Sequence, residues 1–127
     1  MKILIADDSS GWRNFHERML RDIFEDRVEL TICNWAYEAY DKLYDDIPYN
    51  LIITDLQMED EYYPKYAGEW LIERIKELEP YKNTPIVIVS ATYNINEIAD
   101  NYNVKSIRKS IASTDREYYK DVIKSLL

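Results

Sequence analysis

Glycine is almost missing: Gly11 and Gly68 are the two in 127 residues. That excludes a dinucleotide fingerprint and a glycine-rich phosphate cradle, both of which need several glycines in one short loop. Cysteine and histidine occur once each, as Cys33 and His16, too few for a zinc site of those ligands or a disulfide framework. A reducing cytoplasm is the expected setting. Long apolar runs are lacking as well. The N-terminal Ile3 to Ala6 is too short for the core of a signal peptide, and Pro85 to Ala91 is far too short to cross a membrane. Positive charge is in deficit, with 16 basic against 24 acidic residues and a formal charge of -8. A phosphate-reading surface needs clustered Lys and Arg, so direct nucleic-acid binding is not expected.

What is present is a single globular domain, residues 1–127, with 46% hydrophobic residues to build a core. Short apolar runs alternate with amphipathic stretches. Lys2 to Asp7, Val28 to Cys33, Leu51 to Asp55, Thr84 to Ser90 and a weaker Val104 to Arg108 read as strands. Between them, Gly11 to Glu25, Trp35 to Tyr44, Ala67 to Leu78 and Asn94 to Tyr102 carry apolar residues at helical spacing. A last helix is expected from Asp115, with Thr114 and Glu117 spaced as a capping box.

Apolar strands separated by helices imply an α/β fold with a parallel sheet covered on both faces. Five βα units suggest a flavodoxin-like (βα)5 doubly wound sheet in the order 2-1-3-4-5. In that order the first and third strands are neighbours, and ligands bind beyond their carboxyl ends. Asp7 and Asp8 would then stand beside Asp55.

Carboxylates about 4 Å apart repel by about 4 kcal/mol per pair at an effective dielectric of 20, so they need a cation or must take up protons. An oxygen-only cluster suits a hard ion, and Mg²⁺ fits it better than a Ca²⁺ cage. Ser90 at the end of the fourth strand and Lys109 after the fifth point to the same edge. A carboxylate nucleophile, a divalent ion, a lysine and a hydroxyl together form a phosphoryl-accepting set.

In Asp7-Asp8, Asp55-Leu56-Gln57-Met58, Gly68, Ser90-Ala91 and Lys109, taken in this order along the chain, the sequence resembles the receiver domain of two-component response regulators. The resemblance implies that Asp55 is the phosphoacceptor and that Asp8, Asp55 and the Gln57 backbone carbonyl bind Mg²⁺. It implies that Asp7 acts mainly through metal-bound water and that Ser90 and Lys109 contact the phosphoryl group. Gln57 and Thr92 would tune the lifetime of the phosphate. The implied partners are a sensor histidine kinase or phosphotransfer protein and a downstream protein target, with homodimerisation through the last helices a further option. Such a domain catalyses its own phosphorylation and dephosphorylation but turns over no separate substrate.

The chain departs from the family pattern in places. Ser110 stands where proline usually follows the lysine, and Ser106 where an aromatic residue usually reports phosphorylation, leaving Tyr93 or Tyr102 as substitutes. The nine residues between Met58 and Gly68 form a longer, acidic, tyrosine-rich loop in which Tyr62 and Tyr63 suggest a partner surface. These departures support an alternative, a pseudo-receiver that binds partners without phosphate. An aspartate-nucleophile phosphatase would need a second Asp where Gln57 stands. A flavin binder would need a loop less acidic than Asp7-Asp8 after the first strand. His16 falls on the first helix without a partner pattern, and Cys33 reads as a small buried residue.

Overall fold

The computed structural model describes residues 1–46, 48–58 and 65–127. The expected partner surface at Tyr62 and Tyr63 lies outside the described residues, as does most of the loop before Gly68. Five parallel strands, β1 (Lys2–Ala6), β2 (Glu29–Cys33), β3 (Leu51–Thr54), β4 (Ile86–Ser90) and β5 (Lys105–Arg108), form one sheet in the order β2-β1-β3-β4-β5. The helices are α1 (Ser10–Phe24), α2 (Ala36–Asp45), α3 (Ala67–Glu77), α4 (Ile95–Tyr102), α5 (Lys109–Thr114) and α6 (Arg116–Ser125). The doubly wound fold expected from the alternation of elements is the fold observed.

Strand residues alternate between two cores, as the two-residue period of a strand requires. Ile3, Ile5, Leu51, Ile53, Val87, Val89 and Ile107 pack with Phe15 and Met19 of α1 and Tyr119 and Ile123 of α6. Leu4, Ala6, Ile52 and Ile88 face Ala39 and Leu43 of α2, Leu71 and Ile75 of α3, and Ile98 of α4. Burying one such aliphatic side chain stabilises the fold by about 1.5–3 kcal/mol. The inner strands are buried along nearly their whole length. β2 is an edge strand on which Ile32 is exposed, and β5 exposes Lys105.

The C-terminal end differs from expectation in two respects. A short helix, α5, follows β5 directly from Lys109. The capping box expected at Thr114 does not form: the Thr114 hydroxyl turns back to donate to the Ser110 carbonyl at 2.9 Å. Asp115 caps α6 in its place, its carboxylate accepting from the Tyr118 N–H at 3.0 Å. The backbone of Asp115 breaks the helical run, so Asp115 rather than Thr114 stands at the N-cap position, where its side chain can reach the first turn of α6.

Register sets the site. Ala6 pairs with Cys33 on one side and with Thr54 on the other. The chain continues one residue past each strand, with the Asp7 N–H donating to the Cys33 carbonyl at 3.0 Å and the Asp55 N–H to the Ala6 carbonyl at 2.9 Å. Asp7 and Asp55 therefore leave the sheet side by side at its carboxyl edge. Ser90 pairs with Arg108, which brings Lys109 to the same edge. Among the described residues no helix is long and apolar enough to cross a membrane.

Candidate functional site

Each carboxylate is held by its own turn. Asp7 Oδ1 accepts from the Ser9 N–H at 2.9 Å, and Ser9 in turn caps α1 by accepting from the Trp12 N–H. Asp55 Oδ1 accepts from the Leu56 N–H at 2.6 Å, while the Thr54 hydroxyl donates to the Asp55 carbonyl at 2.8 Å. These local bonds fix both side chains at the strand tips. Asp7 and Asp55 are buried and Asp8 half-buried, with one oxygen of each lying within 4.8 Å of the others.

Gly68 allows this arrangement by letting α3 approach the backbone of Asp55. Its N–H donates to the Leu56 carbonyl at 2.9 Å, and a Cβ there would stand 2.1 Å from the Asp55 carbonyl oxygen. No real side chain fits so close to backbone atoms, so glycine is required at this position by contact with Asp55 itself.

Lys109 reaches across from the start of α5. Its Nζ lies 2.7 Å from Asp55 Oδ2 and 3.0 Å from Asp7 Oδ2, and 5.1 Å from the centre of the Trp12 ring. Burial alone would lower the lysine's pKa, but the hydrogen bond to Asp55 and the charges of Asp55 and Asp7 outweigh it and raise the pKa. Asp7 also shifts upward. Burial is the main cause and the Asp55 charge adds to it, against the Ser9 N–H and Lys109, which pull it down.

The lysine contact does not complete Asp7. Among the described residues Asp7 Oδ2 is a buried oxygen with no aligned hydrogen bond, although the ammonium faces it as an ion pair. An under-satisfied carboxylate oxygen inside an all-oxygen cluster is the environment a hard divalent cation fits.

The remaining expected residues fall around this centre. Ser90 is buried at the tip of β4, its hydroxyl 3.0 Å from that of Thr92. Gln57 is exposed, two residues past Asp55. Arg108 donates to the carbonyls of Thr92 at 3.2 Å and Tyr93 at 2.8 Å, tying the β4–α4 connection to the tip of β5. Tyr102, one of two candidates to replace an aromatic switch, donates to Glu73 on α3 at 2.7 Å; the other, Tyr93, is 83% exposed.

One residue set aside in the sequence belongs here. His16 is buried, with Nδ1 2.7 Å from the Tyr119 hydroxyl and Nε2 4.0 Å from Asp7 Oδ2. Burial, helped by the positive charge of Lys109, lowers its pKa to about 3, so the ring is neutral. The period of α1 already pointed position 16 inward, next to Phe15 and near Met19; a polar ring there required a partner.

No protein-family model matches the chain. Among curated proteins, the two-component response regulator ARR6 of Arabidopsis thaliana is 31% identical over 101 residues, covering 72% of this chain and 50% of that protein. The two-component response regulator ARR5 of the same plant is 26% identical over 149 aligned positions, covering 97% of this chain and 77% of that protein. The chain thus spans about half the length of the first of these relatives. The phosphorylated cyanobacterial phytochrome response regulator RcpA shares the fold with a TM-score of 0.78 at 20% identity, over 98% of this chain and 92% of that one. So does the receiver domain of a Pseudomonas aeruginosa sensor histidine kinase with a magnesium ion in the active-site cleft, with a TM-score of 0.76 at 17% identity over 98% and 95% of the two chains.

A parallel sheet in this order, wound on both faces and closed by an acidic carboxyl edge, defines a CheY-like α/β domain. By its fold and its sequence relatives, the chain is a receiver domain of the response-regulator family.

Proposed function

We propose that residues 1–127 act as a phosphorylation switch in which Asp55 accepts a phosphoryl group from a histidine kinase or phosphotransfer protein. The observation that carries this reading is the contact of Lys109 Nζ with both Asp55 and Asp7 at the carboxyl edge of the sheet, 2.7 and 3.0 Å away. Asp8, Asp7, Asp55 and the Gln57 carbonyl are the groups that would hold Mg²⁺. When bound, the ion would supply charge neutralisation for the carboxylates and for incoming phosphoryl oxygens.

Asp55 is the nucleophile. One of its carboxylate oxygens forms a bond to phosphorus as the P–N bond of a phosphohistidine donor breaks, and the imidazole leaves with the electron pair and takes up a proton. The Leu56 N–H holds Asp55 Oδ1 and so fixes the plane of the carboxylate. Lys109 gives up Asp55 Oδ2 and turns to a phosphoryl oxygen, moving a positive charge to where negative charge accumulates. Ser90 offers its hydroxyl to a second oxygen, exchanging its contact with Thr92.

A new charge at Asp55 biases the domain between two surfaces by differential contacts of about 1–3 kcal/mol, and a downstream protein in the cytoplasm reads the result. Receiver neighbours that carry phosphate and magnesium support this reading. The test is incubation with a small phosphodonor and Mg²⁺, followed by intact mass. Wild type is expected to gain one phosphoryl group and Asp55→Asn none. No gain in wild type, or an undiminished gain in the variant, favours the phosphate-independent interaction module.

A further inference from the structure

His16 joins the acidic centre to the packing of α1 against α6. The Tyr119 hydroxyl is fully buried, and the His16 ring is the partner recorded for it among the described residues. That contact fixes the tautomer. A buried phenol with one neighbour must donate to it, so Nδ1 is the acceptor and Nε2 carries the ring hydrogen. The opposite tautomer would leave the phenolic hydrogen without an acceptor and set a nitrogen lone pair against the Asp7 carboxylate. An unsatisfied buried hydroxyl and a lone pair facing a carboxylate both disfavour that tautomer and select the first arrangement.

The N–H so fixed lies on the side of Asp7 Oδ2, at a nitrogen-to-oxygen separation of 4.0 Å. That oxygen is the buried one that lacks an aligned hydrogen bond. Turning about the bond that Oδ1 accepts from the Ser9 N–H would carry Asp7 Oδ2 toward this N–H and leave the contact of His16 with Tyr119 intact. The neighbours make the distinction between charged and neutral donors important. Lys109 already places a positive charge 3.0 Å from the same oxygen, and a second cation would compete with a metal ion for it. A neutral imidazole N–H orients the carboxylate without adding charge.

We infer that His16 is a positioning residue for the acidic centre: with its tautomer set by Tyr119, its Nε2–H orients the Asp7 carboxylate toward a bound Mg²⁺ from behind. This rests on the proposed role of Asp7 in holding Mg²⁺. The side chain touches neither phosphoryl group nor metal and acts through Asp7. Groups of this kind, hydrogen-bonded behind a ligand, typically change metal affinity by about 10–100-fold when removed.

The experiment is a calorimetric Mg²⁺ titration of wild type, His16→Phe, His16→Gln and Tyr119→Phe, with circular dichroism to verify folding. It is joined by the ¹⁵N shifts of the His16 ring in the wild-type protein. The expected results are a roughly tenfold weaker affinity in His16→Phe, an affinity within about threefold of wild type in His16→Gln, whose amide can replace the Nε2–H, and an intermediate loss in Tyr119→Phe. The ring should show Nε2 protonated and Nδ1 bare. Unchanged affinity in folded His16→Phe, or a ring protonated on Nδ1, overturns the inference while leaving the switch intact. If His16→Phe does not fold, the ring shifts and the Tyr119→Phe affinity decide. Wild type that takes up no Mg²⁺ overturns the functional reading and this inference together.

Discussion

Lys109 Nζ lies 2.7 Å from Asp55 Oδ2, closer than to any other carboxylate recorded for it, with Asp7 Oδ2 next at 3.0 Å. The lysine is the cation that meets carboxylates at the end of buried strands, a role that a divalent ion would share or take over. Removing one partner from a buried pair leaves the other charge uncompensated, which costs about 3–5 kcal/mol in a fully enclosed site. Here the side chain of Lys109 is 12% exposed. Lys109→Met is therefore expected to lose about 2–3 kcal/mol in urea unfolding with a chelator present, and to recover most of it when Mg²⁺ is added. Equal losses with and without the ion would show that lysine and metal do not share these carboxylates.

Asp7 gives the complementary case. Its folded pKa is raised above the ordinary 3.8, by burial first and then by the charge of Asp55. The folded protein thus holds the Asp7 proton more tightly than the unfolded chain. The corresponding stability is fully present below the unfolded value and is lost as pH rises through the folded one. At neutral pH an ionised Asp7 works against folding. Asp7→Asn is expected to raise the melting temperature by roughly 2–5 °C at pH 7 without metal, with the gain shrinking toward pH 4. The same variant should lose Mg²⁺ affinity. A melting temperature that falls at pH 7 would mean that the ion pair with Lys109 outweighs the burial of the carboxylate.

The acidic centre was legible in the sequence because a parallel sheet translates apolar runs into register: once β1 and β3 are neighbours, residues one past Ala6 and Thr54 must meet. Lys109 and Ser90 followed from the same geometry. His16 and Tyr119 did not. Their contact spans 103 positions and depends on how α1 crosses α6, a packing angle that no local pattern encodes. The helix from Lys109 was missed for another reason. Its six residues, KSIAST, bury Ala112 alone and show no apolar stripe. The reach of Arg108 to two carbonyls of the β4–α4 connection is likewise a property of packing, since long cationic side chains have many surface orientations of similar energy.

Gly68 tests whether α3 and Asp55 are mechanically joined. A methyl group at this position would meet the Asp55 carbonyl oxygen at 2.1 Å and the Leu56 Cα at 2.8 Å, both backbone atoms that cannot rotate away. Relief requires α3 to slide outward or the end of β3 to shift. Gly68→Ala is expected to cost about 2–3 kcal/mol of stability, in the range of overpacked cores, and to weaken Mg²⁺ binding severalfold because the displaced backbone carries Asp55. Calorimetry and urea unfolding read the two effects separately. A stable variant with unchanged affinity would show that the contact can relax without moving the carboxylate.

Arg108 addresses the missing aromatic reporter. With Ser106 half-buried on β5 and bonded to Asn96 of α4, that strand offers no ring to rotate, yet the guanidinium of Arg108 binds the carbonyls of Thr92 and Tyr93. Thr92 is linked through its hydroxyl to Ser90, so any shift of Ser90 would pull on a segment that Arg108 ties to β5. Arg108→Ala removes two charge-assisted hydrogen bonds at a partly exposed site and is expected to cost about 1 kcal/mol. Amide hydrogen exchange in residues 91–95 should accelerate about tenfold, with the inner strands β1 and β3 unaffected, because local opening is released while the core is not. Acceleration spread evenly over the sheet would indicate global destabilisation and would remove Arg108 as the restraint on this segment. A response confined to 91–95 would show that the two hydrogen bonds of Arg108 are what restrain the β4–α4 connection, where β5 offers no ring to do so.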